Sequence, residues 1–108
     1  VAGDETFTTR YASPQQLRGG TAVVADDVYA LGVSFFEILT DSDAFAGISK
    51  SGLRSHKLQN KLDATGIGDL SLRKLVEKMT ELASADRPSL AEIKMVLTDS
   101  LDAGPPLA

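Results

Sequence analysis

Cysteine and tryptophan are absent from this 108-residue sequence, and histidine occurs once, as His56 beside Lys57. Lack of cysteine excludes disulfides, thiolate-held zinc and thiol catalysis together, and it suits a reducing compartment, so the expected location is cytoplasmic. One histidine does not make a metal site. Zinc would have to rest on carboxylates alone, for which no suitable spacing occurs, and His56 reads as a solvated helix residue. Basic residues are also few: 11 Lys and Arg stand against 15 Asp and Glu, a net charge of -4. Nucleic-acid binding needs cations gathered on one face, so no nucleic acid is expected as a partner.

Long hydrophobic runs are missing too. The strongest, from Val28 to Leu39, is interrupted by Ser34 and Glu37 and falls short of the roughly 20 apolar residues of a membrane span, so no membrane partner is expected. There is no signal-peptide pattern and no initiator methionine. The chain opens at Val1 in what reads as the middle of a loop, which points to a piece of a longer protein. No G-x-S-x-G, Walker loop or G-x-G-x-x-G occurs, so the residues give no nucleotide site and no catalytic constellation of their own.

What is present is helical patterning in a chain about one domain long, with 43% apolar residues. Domains of this size bury roughly 60 to 65% of the surface of the unfolded chain, which leaves their stability marginal. Residues 1 to 12 show no apolar period and read as extended loop. Ser13 and Pro14 suit the N-cap and first position of a short helix, which Gly19 and Gly20 would stop. Asp26 is the expected N-cap of a second helix, DDVYALGVSFFEILT, whose apolar residues cover every side and predict burial all round. Leu53, Leu58 and Leu62 mark one irregular amphipathic helix closed by Gly66 and Gly68. Leu72, Leu75, Val76, Met79 and Leu82 give a regular amphipathic helix beginning at Asp69. After ASADR, the pair Ser89 and Glu92 forms a capping box, and Leu90, Ile93, Leu97 and Leu101 form the buried stripe of the last helix. The expected fold class is all-α.

The order of these parts carries a resemblance. TTRYASPQQL followed by DDVYALGVSFFEILT, and much later ADRPSLAEIKMVL, resembles the C-terminal half of the large lobe of eukaryotic-like Ser/Thr protein kinases. The first stretch is similar to the end of the activation segment, where that family has A-P-E. The second is similar to its central helix, and the third to its Arg-containing loop and last helix. The resemblance covers residues 8–45 and 69–101. It implies a partial kinase domain over 1–108, with the end of the activation segment and a short helix in 1–20, the central buried helix and a turn in 21–47, the remaining helices in 48–101 and a tail in 102–108.

Roles follow from the resemblance position by position. Thr8, three residues before Tyr11, matches the threonine that orders the substrate hydroxyl. Tyr11, Ala12 and Ser13, with Pro14, match the pocket for the residue after the phosphoacceptor, and Glu37 matches an acidic contact for basic substrates. Asp27 matches the helix aspartate that hydrogen-bonds the catalytic loop. Arg87 matches the arginine that pairs with the glutamate of A-P-E, which here is Gln15, so Gln15, Asp27 and Arg87 form the implied structural latch. An amide accepts from a guanidinium without neutralising it, so the latch is expected to be weaker than an ion pair. Thr6, Thr8 and Thr9 are candidate phosphosites. Phe7 where the family has Gly, Asp41 where Gly is common, and Ala83-Ser84 where Asp-Pro is usual are further departures.

The family's Gly-rich loop, strand Lys, H-R-D and D-F-G do not occur in the 108 residues. The resemblance therefore implies ATP and Mg²⁺ for the parent kinase and no cofactor in this chain, with no catalytic residue of its own. Its implied partners are a protein substrate and the rest of the kinase domain, and self-association of the uncovered central helix is expected. Two alternatives stand beside this reading: an inactive kinase-like binding module, motivated by Gln15 and Phe7, and a helix-turn-helix around DRPS, which the acidic balance opposes.

Overall fold

Pro14 has no backbone N–H to donate, and the first turn of a helix is where that loss is harmless. The chain uses it there. The computed structural model describes residues 9–21 and 23–102, the last two by their backbone alone. Residues 9–11 are already helical, not extended as the missing apolar period implied. Helix α1 then runs Pro14–Leu17. Its cap is reciprocal: Gln16 N donates to Ser13 Oγ at 3.1 Å, and Ser13 N donates to Gln16 Oε1 at 3.0 Å. Gly19, at φ +86°, supplies the left-handed turn that follows.

Helix α2, Val24–Thr40, starts earlier than the expected cap at Asp26. Its N-cap is Val23, which has no side-chain acceptor. Asp26 sits at the third helical position instead, where its Oδ2 accepts from Val23 N at 2.8 Å and its charge lies near the positive end of the helix dipole. At the other end Asp41 adopts the left-handed conformation, φ 51°, that short polar side chains tolerate better than most. Val28, Tyr29, Gly32, Val33 and Phe36 are buried, but Leu31, Ile38 and Leu39 are exposed, Ile38 by 76%. The expectation of burial on every side is corrected. Within the described residues, the other helices cover one side of α2 and leave an apolar face open.

Helix α3, Lys50–Gln59, is shorter than the single irregular helix read from the leucines. Asn60 leaves the helical conformation and both its backbone N and its Nδ2 donate to His56 O, at 2.8 and 3.1 Å. Leu62, Ala64 and Ile67 are buried from the irregular stretch that follows, while Leu58 is half-buried. His56 is half-buried, its ring set edge-on to Phe45 with centroids 6.4 Å apart, and is therefore not simply a solvated residue. Helix α4, Leu70–Met79, is capped by Asp69, whose carboxylate accepts from Leu72 N at 2.9 Å. A 3-10 turn, Ser84–Asp86, leads to helix α5, Leu90–Asp102. Ser89 and Glu92 cap it by mutual hydrogen bonds of 3.1 Å each. Of the stripe read from the sequence, Ile93 is buried and Leu97 packs against it, but Leu90 is 55% exposed because it sits in the first turn, and the side chain of Leu101 lies outside the described residues.

No strand occurs among the described residues, and the architecture is all-α, built around α2. Two apolar clusters form on it. Tyr29, Val33 and Phe36 meet Phe45, Leu53, Leu62, Ala64, Ile67 and Val76, while Val28 meets Leu75, Met79 and Ile93. Helix α4 contributes to both, through Val76 on one and Leu75 and Met79 on the other. Helix α2 packs tightly against the end of α4 at Gly32, where an added Cβ would stand 2.8 Å from both Met79 Cβ and Thr80 Cγ2. Helix propensity favours Ala over Gly by about 1 kcal/mol, whereas forcing atoms into a packed contact costs about 1 to 3 kcal/mol. Packing should win because Met79 Cβ is fixed to its backbone. Gly32→Ala is expected to lower the unfolding free energy by about 1 to 2 kcal/mol in a denaturant titration; an unchanged or raised midpoint would show that the two helices are free to move apart.

Candidate functional site

Arg87 is 8% exposed and makes four hydrogen bonds, all to neutral oxygens. Its Nε donates to Glu81 O at 2.9 Å, Nη1 to Ala25 O at 3.0 Å, and Nη2 to Gln15 Oε1 at 2.7 Å and to Leu82 O at 3.2 Å. The guanidinium also lies 5.1 Å from the centre of the Tyr29 ring. Burial holds the pKa of Arg87 below its usual value, and the same burial pushes the Tyr29 phenol up to about 12. Gln15 completes the arrangement by donating from Nε2 to Leu82 O at 2.8 Å. A glutamate could not make that last bond. The structure thus joins Gln15 and Arg87 across 72 positions of sequence, through an amide used at both ends.

Asp27, assigned to the same latch, does not join them: it is exposed, and with Tyr11, Ala30, Leu31 and Ser34 it lines a concavity of about 540 Å³. Its neighbour Asp26 is the buried one. Asp26 Oδ1 accepts from Ser13 Oγ at 2.5 Å, so the carboxylate ties α1 to the start of α2. Ser13 is completely buried and Ala12 is 6% exposed. Both side chains are turned inward, and the hydroxyl of Ser13 is used in capping α1 and in bonding Asp26. Thr6 and Thr8 lie outside the described residues, whereas Thr9 is half-buried in the helical turn.

Glu37 stands at the centre of a second cluster. Its Oε1 accepts from Tyr11 Oη at 2.8 Å, and its Oε2 accepts from Arg10 Nη2 at 2.5 Å and from Ala44 N at 3.1 Å. Burial alone would raise the Glu37 carboxyl, but the bonds from Ala44, Tyr11 and Arg10 outweigh it and hold the group below its ordinary value. The bond to Glu37 raises the Tyr11 phenol, with burial acting in the same direction. Burial likewise opposes the charge of Arg10, yet its hydrogen bonds to Glu37 and Asp43 prevail and raise its pKa. Glu37 is accordingly bonded within the chain, with a side chain only 17% exposed.

Lys57, which the sequence reading passed over, has no exposed surface. Its Nζ donates to Thr9 O and Arg10 O at 2.6 Å each, and lies 5.1 Å from the Tyr29 ring centre and 4.8 Å from that of Phe45. A lysine on α3 therefore holds the backbone just after Thr8. The one signal for it was its spacing of four from Leu53, which sets both on the buried face of α3. Arg54, on the same helix, adds a bond from Nη2 to Leu17 O at 2.9 Å.

No family model matches the chain. Curated proteins do. The sequence is 35% identical over 81 residues to the serine/threonine-protein kinase PrkC of Bacillus subtilis, covering 75% of this chain and 12% of that protein. It is 31% identical over 112 aligned positions to the serine/threonine-protein kinase mos of Patiria pectinifera, covering 93% of this chain and 32% of the relative. The chain is related to the Ser/Thr protein kinases. A third such relative, PknB of Mycolicibacterium smegmatis, is 48% identical over 42 residues, which are 39% of this kinase-related chain and 7% of PknB. The chain thus spans about a third or less of the length of these kinases.

Burial, aided by the charge of Arg10, pushes the Lys57 ammonium from its ordinary 10.5 down to about 7. Between those values the unfolded chain binds a proton that the folded kinase-related chain has released, so raising the pH favours the folded form. Unfolding free energy should therefore increase from pH 7 to pH 9. Lys57→Met should flatten that slope, as read by parallel denaturant titrations of both proteins. Equal slopes would show that Lys57 keeps an ordinary pKa in its cage.

Proposed function

We propose that this chain is the C-terminal part of the large lobe of a Ser/Thr protein kinase, from the end of the activation segment to the last helix. What supports the reading most is the 2.7 Å bond from Arg87 to Gln15, made between the two positions at which the family resemblance sets an arginine and its partner. Residues 1–20 then carry the substrate-facing loop and its short helix, 21–47 the central helix and turn, 48–101 the remaining helices, and 102–108 a tail. The parent transfers phosphate from ATP to Ser or Thr of a protein substrate. This chain supplies support for the acceptor segment and a scaffold for the active site.

Nucleotide and Mg²⁺ are assigned to the rest of such a domain. The described residues contain no group of three or more His, Cys, Asp or Glu placed to hold a metal. Asp27, Ala30, Leu31 and Ser34 line a concavity on the open face of α2, which suits contact with the part that carries the catalytic loop. Leu31 and Ile38, one above the other on this face, leave an apolar surface that a neighbouring protein segment would cover. In isolation the same face, with Ile38, favours self-association. No helix among the described residues is long and apolar enough to cross a membrane.

Gln15 favours one further reading, an inactive kinase-like binding module, because the latch here keeps its geometry without the charge of a glutamate. Phosphate transfer separates the two. A longer protein in which this segment follows its natural upstream sequence is expected to phosphorylate a Ser or Thr peptide, and Thr8→Ala is expected to slow that transfer on the order of 10- to 100-fold more than Thr9→Ala. The isolated chain should give no heat with Mg-ATP in calorimetry. A folded longer protein that neither binds ATP nor transfers phosphate would favour the binding module, and equal rates for the two threonine variants would remove the role assigned to Thr8.

A further inference from the structure

The cluster around Glu37 is a seat for one guanidinium, and the chain fills it itself. Arg10 bonds Glu37 through Nη2 at 2.5 Å and Asp43 through Nη1 at 2.9 Å, with its carbon Cζ 5.8 Å from the centre of the Tyr11 ring. Two carboxylates and an aromatic ring suit a planar cation with several donors. The seat is not sealed. The Arg10 side chain is 32% exposed and Asp43 is 44% exposed. Beside them opens a concavity of about 220 Å³ lined by Arg10, Asp43, Phe45, Ile48, Lys50 and Leu53. An arginine from a bound peptide would meet this site from the open side, but it would have to displace a guanidinium whose backbone Lys57 already holds through the carbonyls of Thr9 and Arg10. An internal group linked by a short chain acts at an effective concentration in the millimolar range or above, which a free peptide does not match.

We propose that Arg10 is a specificity-determining residue, an internal guanidinium that occupies the Glu37–Asp43 seat and excludes a basic residue of the acceptor segment. The inference rests on the kinase reading for the word acceptor, but the exclusion itself is a binding property of this chain. With Glu37 and Asp43 both paired to Arg10, and Lys50 on the rim, the site carries two cations and two carboxylates and has no net negative charge to draw a basic peptide. A basic residue therefore finds no unpaired carboxylate in the filled seat, and an acceptor that is neutral at this point fits it better.

The test uses an arginine-containing peptide, and the same peptide with citrulline in place of arginine, titrated against the chain by fluorescence anisotropy. The wild-type chain should not distinguish the two peptides. Arg10→Met, which keeps the aliphatic stem and vacates the seat, should bind the arginine peptide at least roughly tenfold more tightly than the citrulline peptide, and Glu37→Gln added to it should abolish the difference. Arg10→Gln, compared by circular dichroism with the wild type, provides a second emptied seat if Arg10→Met unfolds. A wild-type preference for arginine that Glu37→Gln removes would overturn the proposal, since the seat would then be open. Lack of any preference in folded Arg10→Met and Arg10→Gln would also overturn it. Phosphate transfer by the longer protein is not part of these readouts, so failure of the kinase reading and failure of this one are told apart.

Discussion

A guanidinium buried without a carboxylate among its hydrogen-bond acceptors depends wholly on how well neutral oxygens are aimed at it. Around Arg87 four such bonds come from three places in the chain: Gln15 in α1, Ala25 at the start of α2, and Glu81 and Leu82 just after α4. Hydrogen bonds to a charged group contribute about 1.5 to 3 kcal/mol each, but removing a buried charge from water costs several kcal/mol. The balance is favourable only when all the acceptors are present together. That requirement fixes where α1 lies, and so where the chain enters α2. The ring of Tyr29 lies near both Arg87 and the ammonium of Lys57, each 5.1 Å from its centre. The two buried basic groups are thereby related through one aromatic side chain of the central helix.

From this frame the segment before α1, residues 9–13, is held at successive points. Lys57 takes the carbonyls of Thr9 and Arg10, Glu37 takes the side chains of Arg10 and Tyr11, and Asp26 takes the hydroxyl of Ser13. Each anchor lies on α2 or α3, and each is an ionisable group with little or no exposure. Such polar contacts discriminate between positions of a loop more sharply than apolar packing does, because a displaced partner leaves a buried charge unsatisfied. The segment that the kinase reading turns toward a substrate is held by these polar groups, half-buried over residues 9–11 and buried at Ala12 and Ser13.

The sequence made the helices legible where a cap and an apolar period coincided. Ser13-Pro14, Asp69 with the stripe through Met79, and Ser89 with Glu92 are such cases. It misled where one signal stood alone. Asp26 looked like a cap because aspartate is common there, but a carboxylate works equally well three positions on, and Ser13 drew it inward. The leucines of 48–68 suggested one helix, although Leu62 is buried from a stretch with no helical period. Ala12 and Ser13 were matched to a substrate pocket on the strength of a motif, which says what a residue neighbours but not which way its side chain points. Lys57 was missed for the opposite reason: lysine is expected in water, and its burial is set by Tyr29, Phe45 and two backbone carbonyls that come together only in three dimensions.

The architecture around α2 ties α1 to the rest of the chain through buried polar groups, with Arg87 as the group on which the position of α1 depends. Native-state hydrogen exchange of the wild type and of Arg87→Lys measures this directly, since lysine keeps the charge but loses the planar fork that reaches four acceptors at once. The account predicts that the amides of Leu17 and Gly20, which bond to Ser13 O and Gln15 O, lose at least roughly tenfold in protection. The amides of Thr80 and Ile93, bonded to Val76 O and Ser89 O, should lose less. Unchanged protection at Leu17 and Gly20 in the folded variant would contradict it.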